Sequence, residues 1–226
     1  LITGATGFVG AAVLRKLLKK GHKVKVLIRE SSVLNNLKNL DIETVKGDLK
    51  DKDSLKKCLK DCKYIFHVAA DYRFWVPKPE EIYQNNVIGT ENLMLEALNA
   101  KIEKIVYTSS VAVLGKPVDG ELADEKTPVS IVQMIGHYKQ SKYLAEEKVK
   151  ELHKTKGLPV IIVNPAAPVG PRDIKPTPTG KMILDAAMKK IPAYLDTGLN
   201  IVHVNDVAKG HLQAFKKGKL GERYVL

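Results

Sequence analysis

The order of strand-like and helix-like segments constrains the fold of this 226-residue chain more than any other feature of its sequence. Short apolar runs at residues 23–29, 64–68, 104–108 and 160–163 are separated by longer segments whose apolar side chains recur at helical spacing. A helix between two successive strands allows those strands to pair in parallel. The order therefore predicts an α/β fold, a doubly wound parallel sheet with helices on both faces.

The remaining elements follow the same alternation, apart from one proline-rich stretch. Further strands are predicted at 1–3, 43–46, 201–203 and 224–226, and helices at 8–20, 51–60, 80–99, 137–156, 181–189 and 206–216. The five prolines between 165 and 178 predict a loop or lobe rather than sheet. We therefore expect a core at 1–165 and a mixed segment at 166–226, which contributes part of a small lobe and returns to the core. Both ends look clipped, because a three-residue strand without Met opens the chain and a strand closes it, so the lobe is expected to be incomplete.

The charge composition argues against several classes of partner. Lys and Arg number 37 against 25 Asp and Glu, which gives a net charge of +12, but only five of the 37 are Arg. Arg is the residue preferred for reading bases and clamping phosphates, and the lysines are spread in ones and twos, so we expect no nucleic-acid partner. No apolar run reaches the roughly 18 residues of a spanning helix, and no signal peptide is visible. We therefore expect no membrane partner and a cytoplasmic location.

A glycine-rich loop lies between the first predicted strand and the first predicted helix. Gly4, Gly7 and Gly10 follow one another at intervals of three residues. In a dinucleotide-binding loop, the first glycine allows a tight turn, the second lets the backbone approach a pyrophosphate, and the third lets helix and strand pack closely. The helix N-terminus offers free N–H groups to the phosphates. A βα turn without a ligand is the alternative, but the flanking strand and helix favour a nucleotide loop in a Rossmann fold.

The residues after the second strand bear on which nucleotide would bind. An acidic residue there would hold the ribose 2′-hydroxyl of NAD, whereas Arg would favour the 2′-phosphate of NADP. Arg29 stands at the strand tip, and Ser31 and Ser32 add hydroxyls. Glu30 follows 20 residues after Gly10, which keeps NAD as the alternative. The order of these residues favours NADP, although a surface ion pair would show the same pattern.

A tyrosine and a lysine four residues apart indicate acid–base chemistry. Tyr138 and Lys142 share one face of the predicted helix at 137–156. A nearby ammonium stabilises tyrosinate and so lowers the pKa of a phenol, which could then exchange the proton that accompanies hydride transfer. Ser110, just after the strand at 104–108, could polarise a carbonyl oxygen, with Ser109 as its alternate. Tyr and Lys at this spacing are common on helix faces, but the glycine loop and the strand-end serine strengthen the interpretation.

Taken in order along the chain, these motifs resemble those of the extended short-chain dehydrogenase/reductases, the NAD(P)-dependent epimerase/dehydratase family. Within it the chain is most similar to dihydroflavonol 4-reductase-like proteins, especially those called hopanoid-associated sugar epimerases. The segments that carry the resemblance are TGATGFVG at 3–10, GDL at 47–49, HVAA at 67–70, DYRFWVP at 71–77, NVIGTEN at 86–92, YTSS at 107–110, HYKQSK at 137–142, NPAAPVGPRDIKPTPT at 164–179 and HVNDV at 203–207. They cover nearly the whole chain.

The resemblance implies a role for each matching residue. The catalytic set would be Ser110, Tyr138 and Lys142. Tyr138 and Lys142 would also bind the cofactor, Lys142 at a ribose. The other residues implied in binding NADP, or NAD as the alternative, are Gly4, Thr6, Gly7, Phe8, Val9 and Gly10 at the phosphates, Arg29 at the 2′-phosphate, Asp48 and Leu49 at the adenine, Val68, Ala69 and Ala70 along the nicotinamide ribose, and Thr108, Pro165 and Ala166 beside the nicotinamide. Asn86 matches a residue that braces the active-site helix.

Departures from the sugar-epimerase pattern narrow the chemistry. Ala112 stands where those epimerases often have Thr, and Leu114 where they have Tyr, which favours a substrate other than a nucleotide sugar. Because Val111 and Ala112 supply no second acid or base, we expect no elimination. The resemblance therefore implies a reductase acting on a small-molecule carbonyl, with a sugar epimerase as the alternative. A non-catalytic nucleotide sensor or nucleic-acid-binding protein is a third reading, disfavoured by the intact Ser, Tyr and Lys.

The rest of the substrate side gives weaker signals. Tyr72, Phe74 and Trp75 follow the cofactor-binding strand, where they could stack on a substrate ring or pack the lobe. Arg172 could steer an anionic substrate or be solvated. The His and Cys spacing matches no zinc site, so no metal is expected. The resemblance also suggests a homodimer formed through the two long helices.

Overall fold

A computed structural model of the chain describes residues 1–73, 75–117, 121–193 and 196–226. The strands are β1 (Ile2–Thr3), β2 (Lys25–Ile28), β3 (Glu43–Lys46), β4 (Tyr64–His67), β5 (Lys104–Thr108), β6 (Val160–Asn164), β7 (Ala167–Val169), β8 (Ile201–His203) and β9 (Arg223–Val225). The helices are α1 (Phe8–Lys19), α2 (Lys52–Leu59), α3 (Glu80–Tyr83), α4 (Gly89–Asn99), α5 (His137–Lys156), α6 (Pro178–Ala187) and α7 (Val204–Lys217).

The sheet has the strand order of a doubly wound Rossmann fold. Within the described ranges, seven strands form one sheet in the order β3-β2-β1-β4-β5-β6-β9, and every pairing in it is parallel. The order reverses between β1 and β4, and ligands of such sheets bind at the carboxyl ends of the strands beside that point. The predicted fold class is confirmed, and the expected site lies at this edge of the sheet.

Alternating side chains along the strands bury two separate apolar layers, one on each face of the sheet. One layer holds Val106 and Ile161 against residues of α1 and α7, such as Leu14 and Ala208. The other packs β5 and its neighbours against α2, α4 and α5, with Val149 among its members. Because both faces are covered, the strands read as nearly continuous apolar runs.

The helix that carries the predicted Tyr and Lys is defined by its two ends. α5 begins after Gly136, whose φ is +86°, and ends at Gly157, whose φ is +67°. Glycine adopts this left-handed conformation without strain, so it commonly terminates helices. Three basic residues in the last turn complement the negative end of the helix dipole. The bounds of α5 agree with the prediction.

The proline-rich stretch differs from the prediction in two respects. Ala167–Val169 forms β7, which pairs in parallel with β8 through Pro168 and Val202 in a small two-stranded sheet. Proline is tolerated here because a strand with a single neighbour has one side on which no N–H group is required. α6 begins earlier than predicted, because Thr177 caps it and Pro178 stands in its first turn.

The segment after β8 returns to the main sheet. α7 packs on the same face as α1, and β9 pairs with β6. The division at residue 165 stays a prediction. None of the helices in the described ranges is both long and apolar enough to cross a bilayer.

Two buried histidines should make the fold sensitive to mild acid. Burial lowers the pKa of His67 to about 3, with Lys142 adding to the effect, and lowers the pKa of His211 to about 4. Both stay neutral in the folded chain, while the unfolded chain binds protons below a pH of about 6.5. Each histidine should therefore reduce the free energy of unfolding as pH falls from about 6.5 towards its folded pKa, by up to about 1.4 kcal/mol per pH unit.

Urea unfolding at pH 7, 6 and 5 measures this slope. His211→Gln should remove about 1.4 kcal/mol per pH unit from it, whereas His22→Gln, at an exposed position, should leave it unchanged. An identical slope in the wild type and in His211→Gln would contradict the assignment.

Candidate active site

The glycine loop closes tightly against the end of β4. Gly4 has a φ of +74°, and a Cβ atom on it would lie 2.5 Å from the Ala69 nitrogen, so only glycine fits. A Cβ atom on Gly10 would overlap the Gly4 carbonyl oxygen. Gly7 precedes α1, which has neither a side-chain cap nor an acidic residue in its first turn. The unpaired N–H groups of this helix end therefore fit an anionic group such as a pyrophosphate.

Three other residues of the loop are fixed by their neighbours, Thr6 by a hydrogen bond and Phe8 and Val9 by packing against the core. The carbonyl of Thr6 accepts a hydrogen bond from the buried Asn36 amide at 3.2 Å. The Phe8 side chain is buried in the core, and Val9 packs against the same cluster. Phe8 and Val9 can therefore reach a cofactor only through their backbone, in keeping with a helix end that binds phosphate by N–H groups.

A groove of about 560 Å³ lies at the carboxyl ends of β2 and β3. Arg29 and Asp48 both line it, as does Lys46, which pairs with Glu30 at 2.9 Å. The Asp48 carboxylate accepts the Lys50 N–H at 2.8 Å, which fixes its direction. Arg29 and Asp48, predicted at the 2′-phosphate and the adenine, thus line one groove, whereas the Leu49 side chain packs against the core layer that holds α2 and α4.

The end of β4 is fixed to β1 by hydrogen bonds. The Val68 N–H donates to the carbonyl of Thr3 at 3.3 Å, and the Ala69 N–H donates to the Thr3 hydroxyl at 3.2 Å. His67 bonds the same hydroxyl through Nδ1 at 2.7 Å, so it is a satisfied core residue. Ala70 is exposed beyond this point.

Tyr138 lies against Ser110, as the predicted chemistry requires. The Ser110 side chain hydrogen-bonds to the Tyr138 phenol and also accepts the Ala112 N–H at 3.1 Å. Burial raises the pKa of Tyr138, and the bond with Ser110 acts in the opposite direction. The sequence spacing predicts that Lys142 lowers this pKa, but the net shift is upward because burial dominates.

The Lys142 ammonium is buried and bound to the end of β5. Its Nζ donates to the Thr108 carbonyl at 2.8 Å and to the Tyr107 hydroxyl at 3.1 Å. Burial lowers the pKa of Lys142 to about 8, and the Glu146 carboxylate opposes that shift. The side chain is therefore mostly charged at neutral pH. Its bond to Thr108 holds α5 against the carboxyl end of β5, two residues before Ser110.

The residues predicted beside the nicotinamide adjoin the same point. The Thr108 hydroxyl bonds His211 Nε2 at 2.9 Å, so its side chain turns away from Lys142 towards α7. The carbonyl of Pro165 accepts the Val111 N–H at 3.1 Å, which joins the end of β6 to the segment after Ser110. Ala166 is half-buried next to it.

Asn86 connects α5 to the end of β4, as the resemblance implied. It lies in a π-helical turn, Gln84–Ile88, between α3 and α4. Its amide oxygen accepts the Asp71 N–H at 2.7 Å, and its Nδ2 donates to the Asp71 carbonyl at 2.8 Å and to the Ser141 hydroxyl at 3.0 Å. Ser141 precedes Lys142, so this brace fixes the turn that carries the lysine.

The predicted substrate-side residues are less constrained. Trp75 is 79% exposed and Tyr72 is 39% exposed, while Phe74 lies outside the described residues. His137 bonds Tyr83 at 3.1 Å. Arg172 is exposed, and its backbone adopts a left-handed φ of +76°. In the described part of the chain, no group of three or more His, Cys, Asp or Glu could hold a metal ion.

Two polar residues beside this site were missed by the sequence analysis. Asn164, at the end of β6, donates through Nδ2 to the Ser110 carbonyl and to Glu146 on α5, each at 3.0 Å. Glu146 stands four residues after Lys142, continuing the spacing from Tyr138, and this repeat was the one available signal. The link through Asn164 joins residues far apart in the sequence, so no local pattern reveals it.

A family model described as "NAD dependent epimerase/dehydratase family" matches residues 1–226. The chain belongs to this family. The resemblance stated from the motifs is thereby confirmed, and the carboxyl edge of the sheet is the edge at which this family's NAD-dependent members would hold the nucleotide.

Relatives and solved structures agree with this assignment. A protein of Synechocystis named "Putative dihydroflavonol 4-reductase" is 48% identical over 229 residues, covering 100% of this chain and 66% of its own length. The crystal structure of gox2253 is 59% identical, with a TM-score of 0.96 over 100% of this chain and 68% of that chain. The UDP-glucose 4-epimerase of Thermus thermophilus, solved with NAD, is 25% identical, with a TM-score of 0.85 over 99% and 76%. The chain thus spans about two thirds of the first two proteins.

Proposed function

We propose that this chain is the cofactor-binding and catalytic part of an NADP-dependent reductase that transfers hydride to the carbonyl group of a small molecule. The observation that carries the proposal is the convergence of Ser110, Tyr138 and Lys142 at the carboxyl end of β5. The phenol contacts the serine hydroxyl, and the ammonium binds the carbonyl of Thr108, two residues before that serine. The name of the Synechocystis relative supports reduction as the reaction.

The described residues fit a dinucleotide. The Gly4 turn, the uncapped start of α1 and the polar groove beside Arg29 follow one another along the sheet edge. In this proposal the α1 N–H groups hold the pyrophosphate, Arg29 the 2′-phosphate and Asp48 the adenine. When bound, the nicotinamide supplies the hydride.

The protein's own residues manage the proton. Ser110 orients and polarises the carbonyl oxygen of the substrate. Because burial raises the pKa of Tyr138, the phenol is protonated at neutral pH and can donate its proton to that oxygen as negative charge develops. Lys142, held at the end of β5, supplies positive charge beside the phenol and can bind a ribose hydroxyl. A raised phenol pKa suits the direction of reduction.

A sugar epimerase is the second candidate, favoured by the structural likeness to the NAD-bound UDP-glucose 4-epimerase. It would use the same three side chains but return the hydride to the carbon that lost it, so the cofactor shows no net turnover. A reductase releases oxidised cofactor with every product molecule. Stoichiometric loss of NADPH absorbance with a carbonyl substrate therefore supports the reductase, and isomerisation at constant absorbance supports the epimerase.

Replacing Tyr138 with Phe removes the proposed acid and keeps the ring. We expect Tyr138→Phe to reduce kcat by roughly 100-fold or more, because acid–base catalysis contributes about that much, while the dissociation constant for NADPH changes little. Tyr143→Phe, on the same helix, is the matched control and should retain activity. Stopped-flow turnover and fluorescence titration measure the two quantities. Wild-type turnover in Tyr138→Phe would contradict the mechanism.

Arg29 determines the choice between NADP and NAD in this proposal. We expect Arg29→Ala to weaken NADPH binding by roughly tenfold to 100-fold, since a charge-assisted hydrogen bond contributes about 1.5–3 kcal/mol. NADH lacks the 2′-phosphate, so its affinity should be unchanged and serves as the internal control. Calorimetric titration of both nucleotides checks this, and equal losses for the two, or tighter NADH binding by the wild type, would contradict the role of Arg29.

A further inference from the structure

Glu146 is a buried carboxylate behind the proposed catalytic residues. Its side chain is 1% exposed. Oε1 accepts from the Lys150 ammonium at 2.8 Å and from the Arg223 guanidinium at 3.1 Å, while Oε2 accepts from the Asn164 amide at 3.0 Å. Burial acts to raise the pKa of Glu146, but the Lys150 ammonium and the Asn164 amide hold it below its usual range. The group is therefore a fixed negative charge at neutral pH.

One path from this charge leads to Ser110. The Asn164 amide donates from the same nitrogen to the Glu146 carboxylate and to the Ser110 carbonyl. Because a carboxylate only accepts hydrogen bonds, Glu146 requires the NH₂ end of the Asn164 amide to face it. The same NH₂ group then also faces the Ser110 carbonyl. Asn164 is fully buried, so no solvent contact can replace this orientation.

A second path leads to Lys142, one helical turn away. The other groups that face the Lys142 ammonium are the Tyr107 hydroxyl, the Thr108 carbonyl and the neutral His67. Tyr138 lies on the same helix, and its phenol is protonated at neutral pH. Among the described groups around Lys142, Glu146 thus supplies the negative charge that offsets burial of the ammonium. The cations Lys150 and Arg223 both pair with that carboxylate through Oε1.

We propose that Glu146 is a positioning residue, which places Ser110 through Asn164 and keeps the buried Lys142 ammonium charged. It acts through these residues and contacts neither substrate nor cofactor. The inference rests on the proposed function of Ser110 and Lys142. It gives Glu146, four residues after Lys142, a role in that site.

The direct test follows the titration of the Lys142 ammonium by NMR in the full chain, with the signal assigned by its loss in Lys142→Met. In Glu146→Gln the midpoint should fall by about one pH unit, the effect of losing one nearby opposite charge. Glu147→Gln is the matched control, because Glu147 also pairs with Lys150, at 2.9 Å, but is half-exposed. The control midpoint should equal that of the wild type. An unchanged midpoint in Glu146→Gln would overturn the electrostatic part of the proposal.

Turnover separates positioning from general stability. If Lys142 must be charged, kcat falls as pH rises through its pKa, so a lower pKa moves the alkaline limb of the kcat profile to lower pH. We expect that displacement in Glu146→Gln, together with a loss of roughly tenfold at neutral pH, about 1.4 kcal/mol. Asn164→Ala should lower kcat without moving the limb, because it breaks only the path to Ser110. Wild-type kcat in Asn164→Ala would overturn that path.

Should Glu146→Gln fail to fold, Glu146→Asp keeps the charge but withdraws it by one methylene. It should lower the Lys142 midpoint by less than one pH unit, and an unchanged midpoint there again overturns the proposal. The NMR midpoint needs no turnover. A chain whose midpoint shifts as expected but which reduces no carbonyl substrate therefore contradicts the proposed function and leaves the Lys142 path standing.

Discussion

A hydrogen bond from a buried ammonium to the last carbonyl of β5 connects the active-site helix to the sheet. Lys142 makes this bond at 2.8 Å, and through it α5 is held where Tyr138 meets Ser110. Burying an ammonium is costly unless it is well bonded and its charge is offset. The Thr108 carbonyl, the Tyr107 hydroxyl and the Glu146 charge meet that requirement. The proposed catalytic arrangement thus depends on how the sheet edge accommodates one cation.

The glycine loop and the surroundings of α5, the two halves of the site, are stabilised by different interactions. At the glycine loop, absent side chains allow the backbone of α1 to come close to β4, and the helix end offers N–H groups to an anion. Around α5, by contrast, buried polar side chains bond one another and to strand ends. Asn86 and Asn164 each donate two hydrogen bonds from one amide nitrogen. Asn86 joins α5 to the segment after β4, and Asn164 joins Glu146 of α5 to the segment after β5. The first half suits recognition of phosphate, and the second suits control of a proton.

The sequence predicted those features that depend on local spacing. The glycine intervals indicated the turn at Gly4, and the four-residue interval placed Tyr138 and Lys142 on one helix face, because both patterns arise from residues close in the chain. The direction of the Tyr138 pKa shift was not predictable, since burial by distant elements decides it. β7 was missed because proline in the sequence argues against a strand, while its single partner, β8, lies more than 30 residues later. Glu146 was overlooked because two of the residues that bind it, Asn164 and Arg223, come from β6 and β9, far away in the sequence.

A crystal structure of the chain grown with NADPH would show whether Ser110, Tyr138 and Lys142 meet at the nicotinamide. We expect pyrophosphate at the start of α1 and the nicotinamide ring between Pro165 and the Ser110–Tyr138 pair, with the phenol and the serine hydroxyl directed at one point above the ring. A dinucleotide that binds elsewhere, or one whose nicotinamide ring points away from Tyr138, would contradict this expectation.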